Sequence, residues 1–176
     1  GILPDEFYRQ SERTALYLEA LQKLIAKGVA YRCYCTKEDL QAQKDNQAAQ
    51  GQPIRYGGYC RNLSKEKQRK YDEEKRGYVY RIVVPDETIT VKDLIRGEVK
   101  FDLRLIGDFI IARNEQSPLY QFTSVVDDSL MDISHIIRGE DILPSTPKHV
   151  VIFRHLDVSL PKFAHIPMVV KADRSK

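Results

Sequence analysis

The sequence predicts an α/β fold, and three observations carry the prediction. From Asp108 onward, short apolar runs (Phe109 to Ala112, Ile133 to Ile137, His165 to Val170) alternate with stretches of helical length. Strands that alternate with helices imply a parallel sheet. The run from Ile133 to Ile137 is rich in β-branched residues and leads straight into Arg138-Gly139-Glu140-Asp141, so it reads as a buried strand ending in a charged turn. Pro147, after Ser145-Thr146, fits the first turn of a further helix that reaches Leu156, with a hydroxyl residue as its N-cap. Charged residues at the end of a strand sit where open α/β sheets bind their ligands. The segment from Pro118 to Pro147 is therefore the candidate site.

The preceding elements follow in order. Ser11 to Lys27 carries Tyr17, Leu18, Leu21, Leu24 and Ile25 at helical spacing, and Gly28 supplies the stop. Thr36-Lys37-Glu38-Asp39 resembles a capping box and starts a polar helix. That helix fades into the Gln-rich stretch from Gln41 to Gln52, read as a mobile surface turn. Ser64 caps a second, highly charged helix running to Arg76. Tyr78 to Val84 alternates into a strand before Pro85-Asp86. Ile89 to Val91 and Glu98 to Phe101 follow as short strands.

Composition sets outer bounds. The chain has 176 residues, 42% hydrophobic and 30% charged, which suits a globular core and argues against general disorder. Its net charge of +3 is too small to require a nucleic-acid partner, although Lys65 to Lys70 forms a basic run. No stretch approaches the ~20 apolar residues that span a bilayer, so no membrane role is expected. The N-terminal residues show no signal-peptide pattern. An odd count of 3 cysteines argues against a disulfide framework and for a reducing, cytoplasmic compartment. The chain opens on Gly-Ile-Leu-Pro and stops at Asp-Arg-Ser-Lys after a strand, so it reads as a piece of a longer protein.

The cysteines form a second constellation. Cys33 and Cys35 flank Tyr34, and Cys60 follows the Gly57-Gly58 pair. Two thiolates in C-x-C spacing, joined by a third from a glycine knuckle, supply most of a tetrahedral zinc site. None of the 4 histidines lies in this region, and Tyr56 is the candidate fourth ligand, of unusual type. Three ordinary buried thiols are the alternative. A metal here is structural, because no water-activating base is evident nearby.

The runs YRQSER, AYRCYCT, DLIRGEV, VVDDSLMDISHIIRGED, STP and FAHIP resemble glutamyl-tRNA synthetases in order and spacing. The resemblance covers essentially the whole chain. It implies a split Rossmann-like parallel sheet interrupted by an α+β acceptor-stem-binding insert. By that likeness residues 1–29 end the first Rossmann half, residues 30–107 are the zinc-containing insert, and residues 108–176 form the second half. It implies a ligase that activates L-glutamate with ATP and Mg²⁺ and attaches it to the 3′ end of tRNA(Glu), as a cytoplasmic monomer with structural Zn²⁺. The family's HIGH-type motif is absent, and its KLSKR-type motif would begin at or just after Lys176, so these residues alone are expected to be inactive. Glutamyl-queuosine tRNA(Asp) synthetase, whose CxC…Yx3C zinc pattern is similar to Cys33, Cys35, Tyr56 and Cys60, is an alternative. A non-enzymatic zinc RNA-binding module is another.

Carried over by residue, the resemblance makes Tyr120 and Arg138 contacts for the substrate glutamate, with Ser124 one helical turn beyond Tyr120 lining the same pocket. A dianionic amino acid needs a fixed guanidinium, and a carboxylate–arginine pair can be bidentate. The competing readings are a structural ion pair of Arg138 with Glu140 or Asp128, and a core role for Tyr120. No residue is assigned as a catalytic acid or base. Asp127 and Asp128 point to different faces and brace the site. His135 and His165 read as core histidines, with a functional role the alternative, Ser145 and Thr146 as helix caps, and Lys148 as a group facing ATP or the tRNA end. Arg9, Ser11 and Arg13 read as local caps and pairs. The Lys65 to Lys70 run reads as a solvated helix face, with contact to tRNA phosphate the alternative.

Overall fold

The computed structural model describes residues 8–168. Helix α1 (Thr14–Ala26) buries Tyr17, Ala20, Leu21 and Leu24, one stripe at helical spacing, and Gly28 ends it in the left-handed region at φ +71°. Strand β1 (Ala30–Cys33) leads to α2 (Lys37–Ala49), where Thr36 and Asp39 form the expected capping box. The Gln-rich stretch is not a turn: α2 runs through it as far as Ala49, since Gln and Ala are good helix formers and Gly51 comes only afterwards. Ser64 caps α3 (Lys65–Glu73) by accepting a bond from the Lys67 amide. Strands β2 (Val79–Ile82), β3 (Thr88–Asp93), β4 (Gly97–Asp102) and β5 (Phe109–Ala112) follow. Then come α4 (Tyr120–Leu130), β6 (His135–Gly139), α5 (Thr146–His155) and β7 (Lys162–Ile166).

Two sheets form. Strands β1, β2 and β5 make an antiparallel sheet, and β4-β3-β7-β6 make a mixed one in which β7 runs parallel to both β3 and β6. Three sequence expectations need correction here. Phe109–Ala112 does not join the parallel sheet; it pairs antiparallel with β2, Phe109 opposite Ile82. The Ile133–Ile137 run begins its ladder only at His135 and lies at an edge of the described sheet, where Ile137 is 64% exposed. The final strand starts at Lys162 and ends at Ile166, while the Val169–Val170 end of the expected strand lies outside the described residues.

Alternation within β3 has a direct consequence for the site. Ile89, Val91 and Asp93 point inward while Thr88, Thr90 and Lys92 face out, so the period that buries two β-branched residues buries a carboxylate as well. Against this face pack Phe122, Val125 and Val126 of α4, Val150 to Phe153 of α5, and Phe163 of β7. The core therefore gathers β3, β7, α4 and α5, with Ile136 of the edge strand β6 packed against it.

Candidate functional site

Strand register builds the first centre. Arg138 and His165 are direct partners on the parallel neighbours β6 and β7. Asp93, at the end of β3, pairs with Phe163 on the other side of β7. On the first turn of α5, Thr146 and His149 stand three residues apart and share a face. These elements converge on one guanidinium. Arg138 Nε donates to His165 Nε2 at 3.1 Å, Nη2 donates to Thr146 Oγ1 at 2.8 Å, and Nη1 lies 3.1 Å from His149 Nδ1. Behind His165, its Nδ1 lies 2.6 Å from Asp93 Oδ2. Asp93 Oδ1 meanwhile accepts from the amides of Ile95, Arg96 and His165. Burial raises the Asp93 carboxyl, but the bonds from His165 and those amides outweigh it and hold the group down at about 2. Burial, then the neighbouring charge of Arg138, pushes His149 down to about 4, so the ring is neutral.

Tyr120 stands at the first turn of α4 and is 67% exposed, which removes the core reading of this residue. Burial lowers the Arg138 guanidinium, and Tyr120, Asp128 and Asp93 oppose that shift electrostatically. Tyr120 thus lies within electrostatic reach of Arg138. Ser124 is half-buried, and its hydroxyl lies at the outer limit of a bond to the Gln121 carbonyl, 3.5 Å away.

Neither carboxylate suggested as a structural partner is hydrogen-bonded to Arg138. Glu140 pairs with Arg96 and accepts from the Met168 amide. Asp128 is half-buried, its carboxyl raised by burial and by Asp127. Asp127 is the brace. It accepts from Arg13 Nε and Tyr17 Oη, both at 2.8 Å, and from Gln10 at 3.1 Å, tying α4 to the start of α1. The expectation that Arg13 only pairs locally is corrected accordingly.

Three further expectations change. Thr146 is no helix cap, because its hydroxyl faces Arg138 and His165 instead of an α5 amide. Ser145 likewise makes no side-chain cap bond. His135 is exposed and bonds Ser134, so it is not a core histidine. His165 is buried as expected, but inside the constellation. Asp93, Thr146 and His149 were not singled out for Arg138, because no local spacing connects them to it.

The second centre comes from β1 and the loop before α3. The sulfurs of Cys33, Cys35 and Cys60 all lie within 4.8 Å of one another. Residues i and i+2 of an extended chain share a face, which aims Cys33 and Cys35 together. Tyr56 Oη stands 3.2 Å from Cys33 Sγ and 3.7 Å from Cys35 Sγ, and accepts from the Cys60 amide at 3.0 Å. The Cys60 thiol and the Tyr56 hydroxyl outweigh burial and hold the Cys33 thiol down to about 4. Three soft donors with a phenol among them fit a tetrahedral Zn²⁺. Gly107 permits the close approach of this loop, since a Cβ there would lie 2.8 Å from the Tyr56 carbonyl oxygen.

A cleft of about 720 Å³ is lined by Tyr56, Arg81 and Phe109 together with Tyr120, Gln121 and Lys148. Arg81 stacks on the Tyr56 ring, 3.8 Å from its centroid, and donates to the Asp108 carbonyl.

A family model described as tRNA synthetases class I (E and Q), catalytic domain, matches residues 1–176. The chain belongs to this family. It is 46% identical over 169 residues to a glutamate–tRNA ligase of Sulfurihydrogenibium sp., covering 96% of this chain and 35% of that one. It is 45% identical to a glutamate–tRNA ligase of Aquifex aeolicus, over 100% of this chain and 37% of the relative. Among solved structures it is similar to a glutamate tRNA ligase from Elizabethkingia meningosepticum in complex with its amino acid, with a TM-score of 0.82 at 32% identity, covering 96% of this chain and 35% of that one. The chain thus spans about a third of the length of the curated relatives it matches. Its fold is the Rossmann-like α/β arrangement of this synthetase family. No helix among the described residues is long and apolar enough to cross a membrane.

Proposed function

We propose that this chain is the amino-acid-binding and acceptor-end part of a ligase that activates glutamate with ATP and joins it to tRNA(Glu). The single observation that carries the reading is the Arg138 centre. A half-buried guanidinium is held at the C-terminal end of a parallel strand by partners that leave its charge for an anion. Tyr120 acts electrostatically on Arg138, Ser124 lies one turn further along α4, and the three are the proposed glutamate pocket.

Activation is attack of the glutamate α-carboxylate on the α-phosphorus of ATP. Glutamyl-AMP forms and pyrophosphate leaves; a ribose hydroxyl of the tRNA 3′ end then takes the glutamyl group and releases AMP. Such chemistry needs positioning and charge neutralisation more than proton transfer. Mg²⁺ accompanies ATP and neutralises its phosphates. The residues of this chain bind and orient the amino acid. Cys33, Cys35, Cys60 and Tyr56 are the proposed holders of a structural Zn²⁺. That ion would cross-link β1 to the loop before α3 and so shape one wall of the cleft.

Residues 30–107 are proposed as the acceptor-end segment between residues 1–29 and 108–176. The cations and aromatic rings lining the cleft, Arg55, Arg81, Lys148, Tyr56 and Tyr120, suit phosphates and unstacked bases. Hairpin β3–β4 of that segment also extends the β7–β6 sheet, fastening the segment to the Arg138 centre through backbone bonds. The glutamyl-queuosine and stand-alone RNA-binding readings have less support, because the curated relatives are glutamate–tRNA ligases. ATP–pyrophosphate exchange on the full-length protein, with tRNA(Glu) present and each amino acid offered in turn, tests the proposal. Exchange with glutamate supports it, and no exchange with glutamate defeats it.

A further inference from the structure

The mode of holding Arg138 goes beyond assigning it to a substrate. A guanidinium has five N–H donors and no acceptor. Three of them are committed to protein: Nε–H to His165 Nε2, one Nη1 hydrogen to His149 Nδ1, and one Nη2 hydrogen to Thr146 Oγ1. One hydrogen remains on each terminal nitrogen, matching the two oxygens of a carboxylate.

The donor pattern fixes the proton positions around it. Because Arg138 can only donate, His165 Nε2 must accept, and the ring proton sits on Nδ1, from which it is donated to Asp93 Oδ2 at 2.6 Å. Asp93 cannot turn away, since its other oxygen takes three backbone amides. By the same logic His149 accepts through Nδ1 and carries its proton on Nε2, a buried atom with no protein partner. Each partner of the guanidinium is thus a neutral acceptor. The nearest compensating charge in this chain of bonds, Asp93, stands one imidazole away. A carboxylate placed directly on Arg138 would instead occupy the site that an anionic substrate needs.

We propose that Asp93, Thr146, His149 and His165 are positioning residues for Arg138. They lock its orientation with neutral acceptors and, through the tautomer of His165, reserve two N–H donors for the carboxylate of the amino acid. The proposal rests on the glutamate-binding reading above. It assigns a role to residues from three separate elements, none of which need touch the substrate.

Two substitutions that preserve shape test it in the full-length protein. In Asp93→Asn, the side-chain oxygen best serves the three backbone amides, which turns the NH₂ toward His165 Nδ1. That flips the ring tautomer and sets an Nε2–H against the Nε–H of Arg138. Thr146→Val removes the acceptor for Nη2, and Thr146→Ser restores it. In exchange assays with tRNA(Glu), each of the first two variants should raise the glutamate KM about tenfold or more. The ATP KM should stay unchanged, and Thr146→Ser should return the glutamate KM to near native. A merely structural role would lower the active fraction and leave the glutamate KM where it was.

If Asp93→Asn does not fold, the Val/Ser pair at position 146 carries the test alone. A glutamate KM in Thr146→Val within twofold of both native and Thr146→Ser overturns the proposal. A native protein with no glutamate-dependent exchange overturns the assigned function instead, so the two failures are distinguishable.

Discussion

The two polar centres of this chain are electrostatic opposites. At the cysteine cluster, Cys33, Cys35, Cys60 and Tyr56 crowd four groups that can each become an anion, and their charges conflict unless a cation stands between them. The Arg138 centre does the reverse. One cation is enclosed by neutral acceptors, and the missing component is an anion. The first arrangement suits a resident ion that holds loops together. The second suits a ligand that comes and goes, because the protein completes its own geometry without it. The contrast separates a folding element from a binding element by the sign and satisfaction of their groups.

The largest expected effect lies at the cysteines. The full-length protein should carry one Zn²⁺ at this cluster, and Cys60→Ser or Tyr56→Phe should reduce that stoichiometry. Stripping the ion with a chelator should destabilise the surrounding segment strongly, since such sites contribute on the order of 10 kcal/mol. Arg138→Ala should leave the metal content untouched. Unchanged metal content in all of these variants, measured by mass spectrometry, would return the cluster to three ordinary buried thiols.

How much of each centre was legible beforehand follows from chain distance. The cysteines lie close in sequence, so spacing alone suggested their convergence, and Tyr56 came with them. Arg138 stands out by its position after an apolar strand, its glutamate role and that of Tyr120 come through the resemblance, and Ser124 follows by helical spacing from Tyr120. Its supports were not legible, because their meeting depends on the parallel register of β6 with β7 and of β7 with β3. No local pattern encodes that register. Thr146 misled for a related reason. A hydroxyl beside Pro147 looks like a cap, but a half-buried guanidinium 2.8 Å away is the stronger partner. The fold read well wherever local periodicity decides it, as in α1, β3 and the two capped helices. It failed at Phe109–Ala112, whose apolar composition suits either sheet, and at Ile137, whose outer face the described residues leave exposed.

The brace between the helices offers an intermediate effect. Asp127→Ala leaves Arg13 and Tyr17 without their acceptor in a part-buried place. The expected loss is roughly 3 kcal/mol of stability, visible as a lower urea midpoint with zinc still bound. Burial and the Asp127 hydrogen bond push the Tyr17 hydroxyl up to about 12, and a return toward the ordinary tyrosine range in the variant would confirm the loss of that contact.

The smallest effect is a pH dependence confined to the arginine centre. His149 has a folded value of about 4 against an ordinary 6.5, because it is buried beside Arg138. A depressed value means that its contribution is fully present above about 6.5 and is lost as the pH falls toward 4. Native protein should therefore lose on the order of 2 kcal/mol between pH 7 and 5 through this group. His149→Asn, which keeps an acceptor toward Arg138, should flatten that part of the profile. Identical pH profiles for the two proteins would show that His149 carries no such burden.

The most direct test of the central claim is the glutamate dependence of ATP–pyrophosphate exchange in full-length Arg138→Ala, with tRNA(Glu) present and Zn²⁺ content measured on the same sample. Removing a charged hydrogen-bonding partner at a half-buried site predicts a loss of about a hundredfold in kcat/KM for glutamate, with the ATP KM and the zinc content unchanged. A variant that retains native kcat/KM for glutamate would contradict the claim that Arg138 receives the amino acid.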